Sequence, residues 1–171
     1  MNYTLVIALF FATLLGNVSS AIGQSLLSHQ TPEIQQIWLN ETGVCRGLAF
    51  GTSRQEVLST EKLKLEAEGK DFLAYKLELN DKEYVEIIYT FDEKDALIYI
   101  TLAFIENINL KREEQIVDDF EHYFNARFGK FTVNSLGMDR WESKDGFVIE
   151  MGDASEGGDL LEIEIEIYPV K

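Results

Sequence analysis

"LLEIEIEIY", residues 160–168, alternates apolar and acidic side chains without a break. Successive side chains of a strand point to opposite faces. Leu161, Ile163, Ile165 and Ile167 are therefore expected on a core face, and Glu162, Glu164 and Glu166 on the other. Just upstream, strands are expected around 138–143 and 147–151, separated by "KDG". Gly146 stands where a three-residue hairpin needs a left-handed residue. That register sets Trp141 opposite Ile149 on the core face and Arg140 opposite Glu150 on the far one.

A second trio precedes the first. "FLAYKLEL" (72–79) places Leu73, Tyr75, Leu77 and Leu79 on one side, and "EYVEIIYTF" (83–91) does the same with Val85, Ile87, Tyr89 and Phe91. "ALIYITLAFI" (96–105) is apolar on both sides. The trios superpose without a gap at an offset of 64 residues, matching Glu78 to Glu142, Asp81 to Asp145, Glu86 to Glu150, Asp95 to Asp159 and Leu97 to Leu161. Alternation alone makes part of this match trivial, but the identities point to duplication. The expected fold class is α+β. It comprises an antiparallel sheet of about six to eight strands from a tandem α-β-β-β repeat (units about 47–106 and 107–171), with two helices packed on one face.

The helices have their own signals. In "FGTSRQEV" (50–57) a strand runs into a corner, and Ser53 and Glu56 stand at capping-box spacing. Nothing near Ser53 is placed to act as its base, so it is expected to cap rather than catalyse. From about Leu110 to Phe128, Ile116, Phe120, Phe124 and Phe128 recur every four residues, joined by Val117 and Tyr123. Asn109 is the expected N-cap and Gly129 the left-handed stop. Earlier, Pro32 after Thr31 opens an amphipathic turn or two with Ile34, Ile37 and Trp38 on one face.

Residues 1–23 carry no charged side chain, and their apolar run, Leu5–Gly16, is about 18 Å as a helix, short of a bilayer core of about 30 Å. With Ala21 and Gly23 offering a cleavage site, 1–23 is expected to be a signal peptide and 24–171 a single α+β domain, secreted or periplasmic, with no membrane insertion after cleavage. The chain carries 30 acidic and 15 basic residues, a net charge of −15. Such a surface opposes nucleic acid and anionic lipid, and it favours a basic partner, a cation or nothing in particular. The single cysteine, Cys45, excludes an intramolecular disulfide and is expected to be buried.

Doubled helix-plus-meander units, with the "FGTSRQEV" corner, resemble the architecture of the beta-lactamase inhibitory protein type, and single units resemble small outer-membrane assembly lipoproteins. The chain lacks the lipid-bearing cysteine of the latter. What the resemblance implies is a protein that binds proteins through its sheet.

Catalytic chemistry is sparsely represented. No phosphate loop, zinc spacing or Ser/His/Asp order occurs. "GDASEGGD" (152–159) is acidic and glycine-rich but lacks calcium-loop spacing, so no metal or cofactor is expected. His122, off the aromatic stripe, is expected in solvent. Glu162, Glu164 and Glu166 recur at about 6.8 Å along a strand. Carboxylates so spaced suit glycosidic chemistry only with an apolar pocket that raises one pKa. The offset sets these glutamates against Ile98, Ile100 and Leu102, continued by Phe104 and flanked by Tyr84 and Ile88. An apolar far face must be covered, here by Ile34, Ile37 and Trp38, or used. Used, Tyr84, Ile88, Ile98, Ile100, Leu102 and Phe104, rimmed by Glu162, Glu164 and Glu166, form a patch for a basic protein. The functional expectation is an exported acidic protein-binding or inhibitor-like module without catalytic activity. The alternatives are a structural envelope component and a carboxylate-dependent hydrolase of glycans.

Overall fold

The computed structural model describes residues 26–107, 110–155 and 160–170. The expected signal peptide, the Asn109 cap and residues 156–159 of the acidic loop lie outside them. After a helical turn at 26–28 come α1 (Pro32–Trp38), α2 (Arg54–Thr60), β1 (Lys64–Glu68), β2 (Phe72–Glu78), β3 (Tyr84–Phe91) and β4 (Leu97–Asn107). Then follow α3 (Leu110–Phe128), β5 (Thr132–Val133), β6 (Asp139–Glu142), β7 (Phe147–Asp153) and β8 (Leu160–Pro169). The strands form one eight-stranded sheet in the order β1-β2-β3-β4-β8-β7-β6-β5, with every neighbouring pair antiparallel. This is an α+β architecture. Among the described residues, no helix is long and apolar enough to cross a membrane.

Most of the expected register is present. Trp141 pairs with Ile149 and Arg140 with Glu150. Gly146, at φ +84°, takes the left-handed position of that hairpin, and Gly129, at φ +93°, ends α3. The Ser53 hydroxyl accepts from the Glu56 N–H at 3.3 Å and caps α2. Two edge strands were not expected. β1 is exposed at every residue, and β5 has only two residues, both exposed. Each is held by pairing rather than by burial. The β1 edge is blunted by a bulge between Leu65 and Ala67 and by the charges of Lys64, Glu66 and Glu68.

The core lies on the face carrying Val85, Ile87 and Tyr89 of β3 and Ile163, Ile165 and Ile167 of β8, each at most 3% exposed. Aromatic edges seal it. Phe120 of α3 meets Phe104, Phe124 meets Trp141, and Phe128 meets Phe147, with centroids 5.1–5.7 Å apart. Trp38 of α1 sets its ring edge-on to Tyr123 and Phe124. Ile34 lines one small void together with Phe104, Ile116 and Phe120.

One expectation is overturned here. Ile100, Leu102 and Phe104 are not on the far face: they are 0%, 0% and 3% exposed and pair with Tyr89, Ile87 and Val85 of the core. The cause is a β-bulge. Thr90 pairs with Tyr99 but Phe91 pairs with Leu97, so Ile98 is an extra residue in β4. A gapless overlay cannot contain it. With Val85 laid on Ile149 at the 64-residue spacing, their partners Phe104 and Ile167 stand 63 apart. The positions matching Ile163, Ile165 and Ile167 are therefore Ile100, Leu102 and Phe104, and Tyr99 and Thr101 match Glu162 and Glu164. Leu97 is held at the corner by its own backbone, donating to the Thr52 carbonyl (2.9 Å) and accepting from the Gly51 N–H (2.8 Å).

A buried ion pair braces the side of the core near α2. Arg46 Nε and Nη2 reach the two Glu61 carboxylate oxygens at 2.7 and 2.9 Å, with both side chains 3% exposed. Arg46 Nη1 also donates to the Gln36 and Ile37 carbonyls at the end of α1. Glu61 further accepts from the Lys62 and Leu63 N–H groups and from the Tyr89 hydroxyl. No lobe of the carboxylate is left idle, which is the condition for tolerating a charge in a core. Burial pushes the Glu61 carboxyl up, but the Arg46 guanidinium, the Leu63 N–H and the Tyr89 hydroxyl together hold it below the usual range.

Candidate partner-binding face

Of the nine residues expected to bind a partner, the structure brings six to one face. Tyr84, Ile88 and Ile98 share the far side of the sheet with Glu162, Glu164 and Glu166, whereas Ile100, Leu102 and Phe104 are core. The far face is built in cross-strand rows. One runs Ala74, Ile88, Thr101, Glu166, Glu150, Arg140 from β2 to β6. The next runs Lys76, Glu86, Ala103, Glu164, Gly152, and a third Glu78, Tyr84, Ile105, Glu162. On the central strands, Thr101, Ile105, Glu162, Glu164 and Glu166 are half-buried and Ile98 is 41% exposed. Their inward neighbours are nearly at zero. On the same face Ala74, Ala103, Val148 and Glu150 are buried, so it meets solvent around Ile98, Ile105 and the β8 glutamates rather than throughout.

Three further residues complete the face. Tyr99 of β4 and Tyr168 of β8 stack with centroids 5.6 Å apart and planes 9° from parallel. Tyr99 neighbours Glu166 and Tyr168 neighbours Glu150, each carboxylate near enough to raise the pKa of its phenol. Glu150 and Glu166 are direct cross-strand partners, a like-charge pair that needs compensation. Glu150 has it: Arg140 Nη1 lies 2.9 Å from its Oε1 and 3.0 Å from the Tyr168 hydroxyl, and Asn134 Nδ2 donates at 2.9 Å. Burial pushes Glu150 up, but these donors together hold it below the usual carboxylate range. Arg140 also reaches Glu142 at 3.0 Å, and the two carboxylates raise its pKa.

The carboxylates along β8 lack that compensation. Glu162, Glu164 and Glu166 form no ion pair with a described residue. Burial, then the like charges of Glu166 and Glu162, raise the pKa of Glu164. A carboxyl with a raised folded-state pKa favours folding at low pH, and that contribution fades as pH rises from the unfolded value through the folded one. At neutral pH the face therefore carries unrelieved repulsion. Tyr99 and Tyr168 also have raised pKa values, from burial first and then from the neighbouring carboxylates, so their hydroxyls stay protonated. At one end of the face a groove of about 550 Å³ is lined by Ile98, Tyr99, Glu150, Glu166, Tyr168 and Pro169.

Other chemistry-bearing groups are set elsewhere. Cys45 is fully buried, and burial pushes its thiol up to about 12, which leaves it a packing residue. His122 is exposed. Asp153 accepts from the Ser155 N–H at 2.8 Å. Among the described residues no cluster of three or more metal-type ligands occurs.

Tyr99, Tyr168 and Glu150 were missed as site residues. Tyr168 continues the outward series of Glu162, Glu164 and Glu166, and Glu150 was already set opposite Arg140 on the far side. Tyr99 needed the bulge. No family model matches the chain, and neither a curated protein nor a solved structure matches it.

Proposed function

We propose that this chain is an exported, non-enzymatic protein-binding module that captures a basic partner on the far face of its sheet. The observation that carries this reading is the open central part of that face. Exposed and half-buried apolar groups (Ile98, Ile105, Ile88) lie beside three carboxylates that form no ion pair with a described residue. Apolar area supplies affinity, and unscreened charge supplies steering toward a cationic surface. Export rests on the uncharged apolar run of residues 5–16 as a signal peptide, which makes the working protein 24–171, secreted or periplasmic.

The architecture behind the face is a tandem repeat with its helices on the opposite side. The strand order supports this, since it mirrors itself about the β4–β8 junction, with α2 leading into one half and α3 into the other. The resemblance to the beta-lactamase inhibitory protein type points the same way, toward protein capture through a sheet.

Immobilised protein exposed to envelope extract or medium should capture a basic protein, and raised salt should weaken that capture. Reversing charge on the face, with Thr101→Arg and Glu164→Lys together, should abolish it while the circular dichroism spectrum is unchanged. Capture by the folded double variant at the wild-type level would refute the reading.

A further inference from the structure

We propose that the groove beside the stacked tyrosines takes the guanidinium of an arginine displayed by the basic partner. This rests on the protein-binding reading above and adds the chemistry of its anchor. The groove offers two things at once. Its wall is aromatic and apolar: Tyr99 and Tyr168, whose parallel rings stack on one another, with Ile98 and Pro169 beside them. Its polar end is Glu166, which lines the groove beside Tyr99 and forms no ion pair with a described residue. An ionised carboxylate has about four acceptor sites, which leaves room for a two-pronged donor.

Only a planar cation uses both features. A guanidinium stacks flat on an aromatic face while its N–H fork bonds a carboxylate, whereas an ammonium is a compact point charge with no face to stack. The protein already shows the carboxylate-binding half of this chemistry two strands from Glu166. Arg140 bridges Glu150, Glu142 and the Tyr168 hydroxyl from the β6 side. Glu166 is the opposite member of the same carboxylate pair and has no such arginine. Glu164, at about 6.8 Å along the strand, favours a second basic residue next to the anchor.

The test titrates the full chain with a capped Gly-Arg-Gly-Arg-Gly peptide, followed by chemical-shift changes, alongside its lysine and citrulline counterparts. The arginine peptide should bind, the lysine peptide about tenfold more weakly, and the citrulline peptide undetectably. Glu166→Gln should weaken arginine binding by about tenfold or more, as expected for losing a charged hydrogen-bonded pair. Glu93→Gln, on the turn before β4, should leave it unchanged. Equal binding of the arginine and lysine peptides, an unaltered titration in Glu166→Gln, or no arginine binding at all would each overturn the proposal. The two readings fail separately. Loss of partner capture in Thr101→Arg with Glu164→Lys, beside an indifferent Glu166→Gln, removes the arginine anchor and leaves the binding face standing.

Discussion

Glutamate at both Ile100 and Leu102 should leave the chain unable to fold, while glutamate at Ile98 should leave it folded. The three residues are near neighbours on one strand, yet the first two are 0% exposed and the third is 41% exposed. Removing a buried Ile or Leu side chain costs about 2–5 kcal/mol, and placing a carboxylate in that space adds the cost of desolvating it. Two such changes exceed the roughly 5–15 kcal/mol that holds a domain together. At Ile98 the new carboxylate meets water. Circular dichroism and thermal melts check both: the double variant should show no cooperative transition, and Ile98→Glu should melt within a few degrees of wild type.

The second large effect concerns Glu61. Its replacement by alanine should cost about 3–5 kcal/mol, because Arg46 would stay buried with its charge unmatched. The Tyr89 hydroxyl and the Lys62 and Leu63 N–H groups would lose their acceptor as well. The pH dependence has a definite sign. Glu61 has a folded-state pKa below its unfolded value, so its contribution is present above the unfolded value near 4.5 and is lost as pH falls through the lowered one. Urea titrations from pH 7 downward should show wild-type stability falling in that window, with a shallower decline in Glu61→Ala. A variant as stable as wild type at pH 7 would mean that the pair is dispensable.

Strict alternation made β8 legible, the recurring core-facing apolar set did so for β2 and β3, and the hairpin at Gly146 placed β7, which is buried on both faces from Phe147 to Met151. The four-residue recurrence of Phe120, Phe124 and Phe128 did the same for α3. β1 and β5 left no trace, since neither buries a residue and both exist only as partners of an inner strand. β4 shows the sharper limit. In "ALIYITLAFI" nearly every side chain is apolar, so a one-residue shift costs no visible mismatch, and the bulge at Ile98 cannot be seen. That single residue moved Ile100, Leu102 and Phe104 from the expected patch into the core and turned Tyr99 outward. The glutamates of β8 were placed on the correct face because their strand has no such ambiguity. The Arg46–Glu61 brace was invisible for another reason: its partners are 15 residues apart in loops without periodicity.

The binding face exists only if each β4 side chain occupies the side of the sheet given above, and thiol labelling of single cysteine variants reports this directly. Cys45 is fully buried and gives little background. In native buffer, Ile98→Cys should react with a maleimide at close to the rate of an exposed thiol, and the half-buried Thr101→Cys more slowly but far faster than the whole protein unfolds. Ile100→Cys should react only as fast as the whole protein unfolds. Rapid labelling of Ile100→Cys in the folded protein, or protection of Ile98→Cys and Thr101→Cys, would contradict that placement.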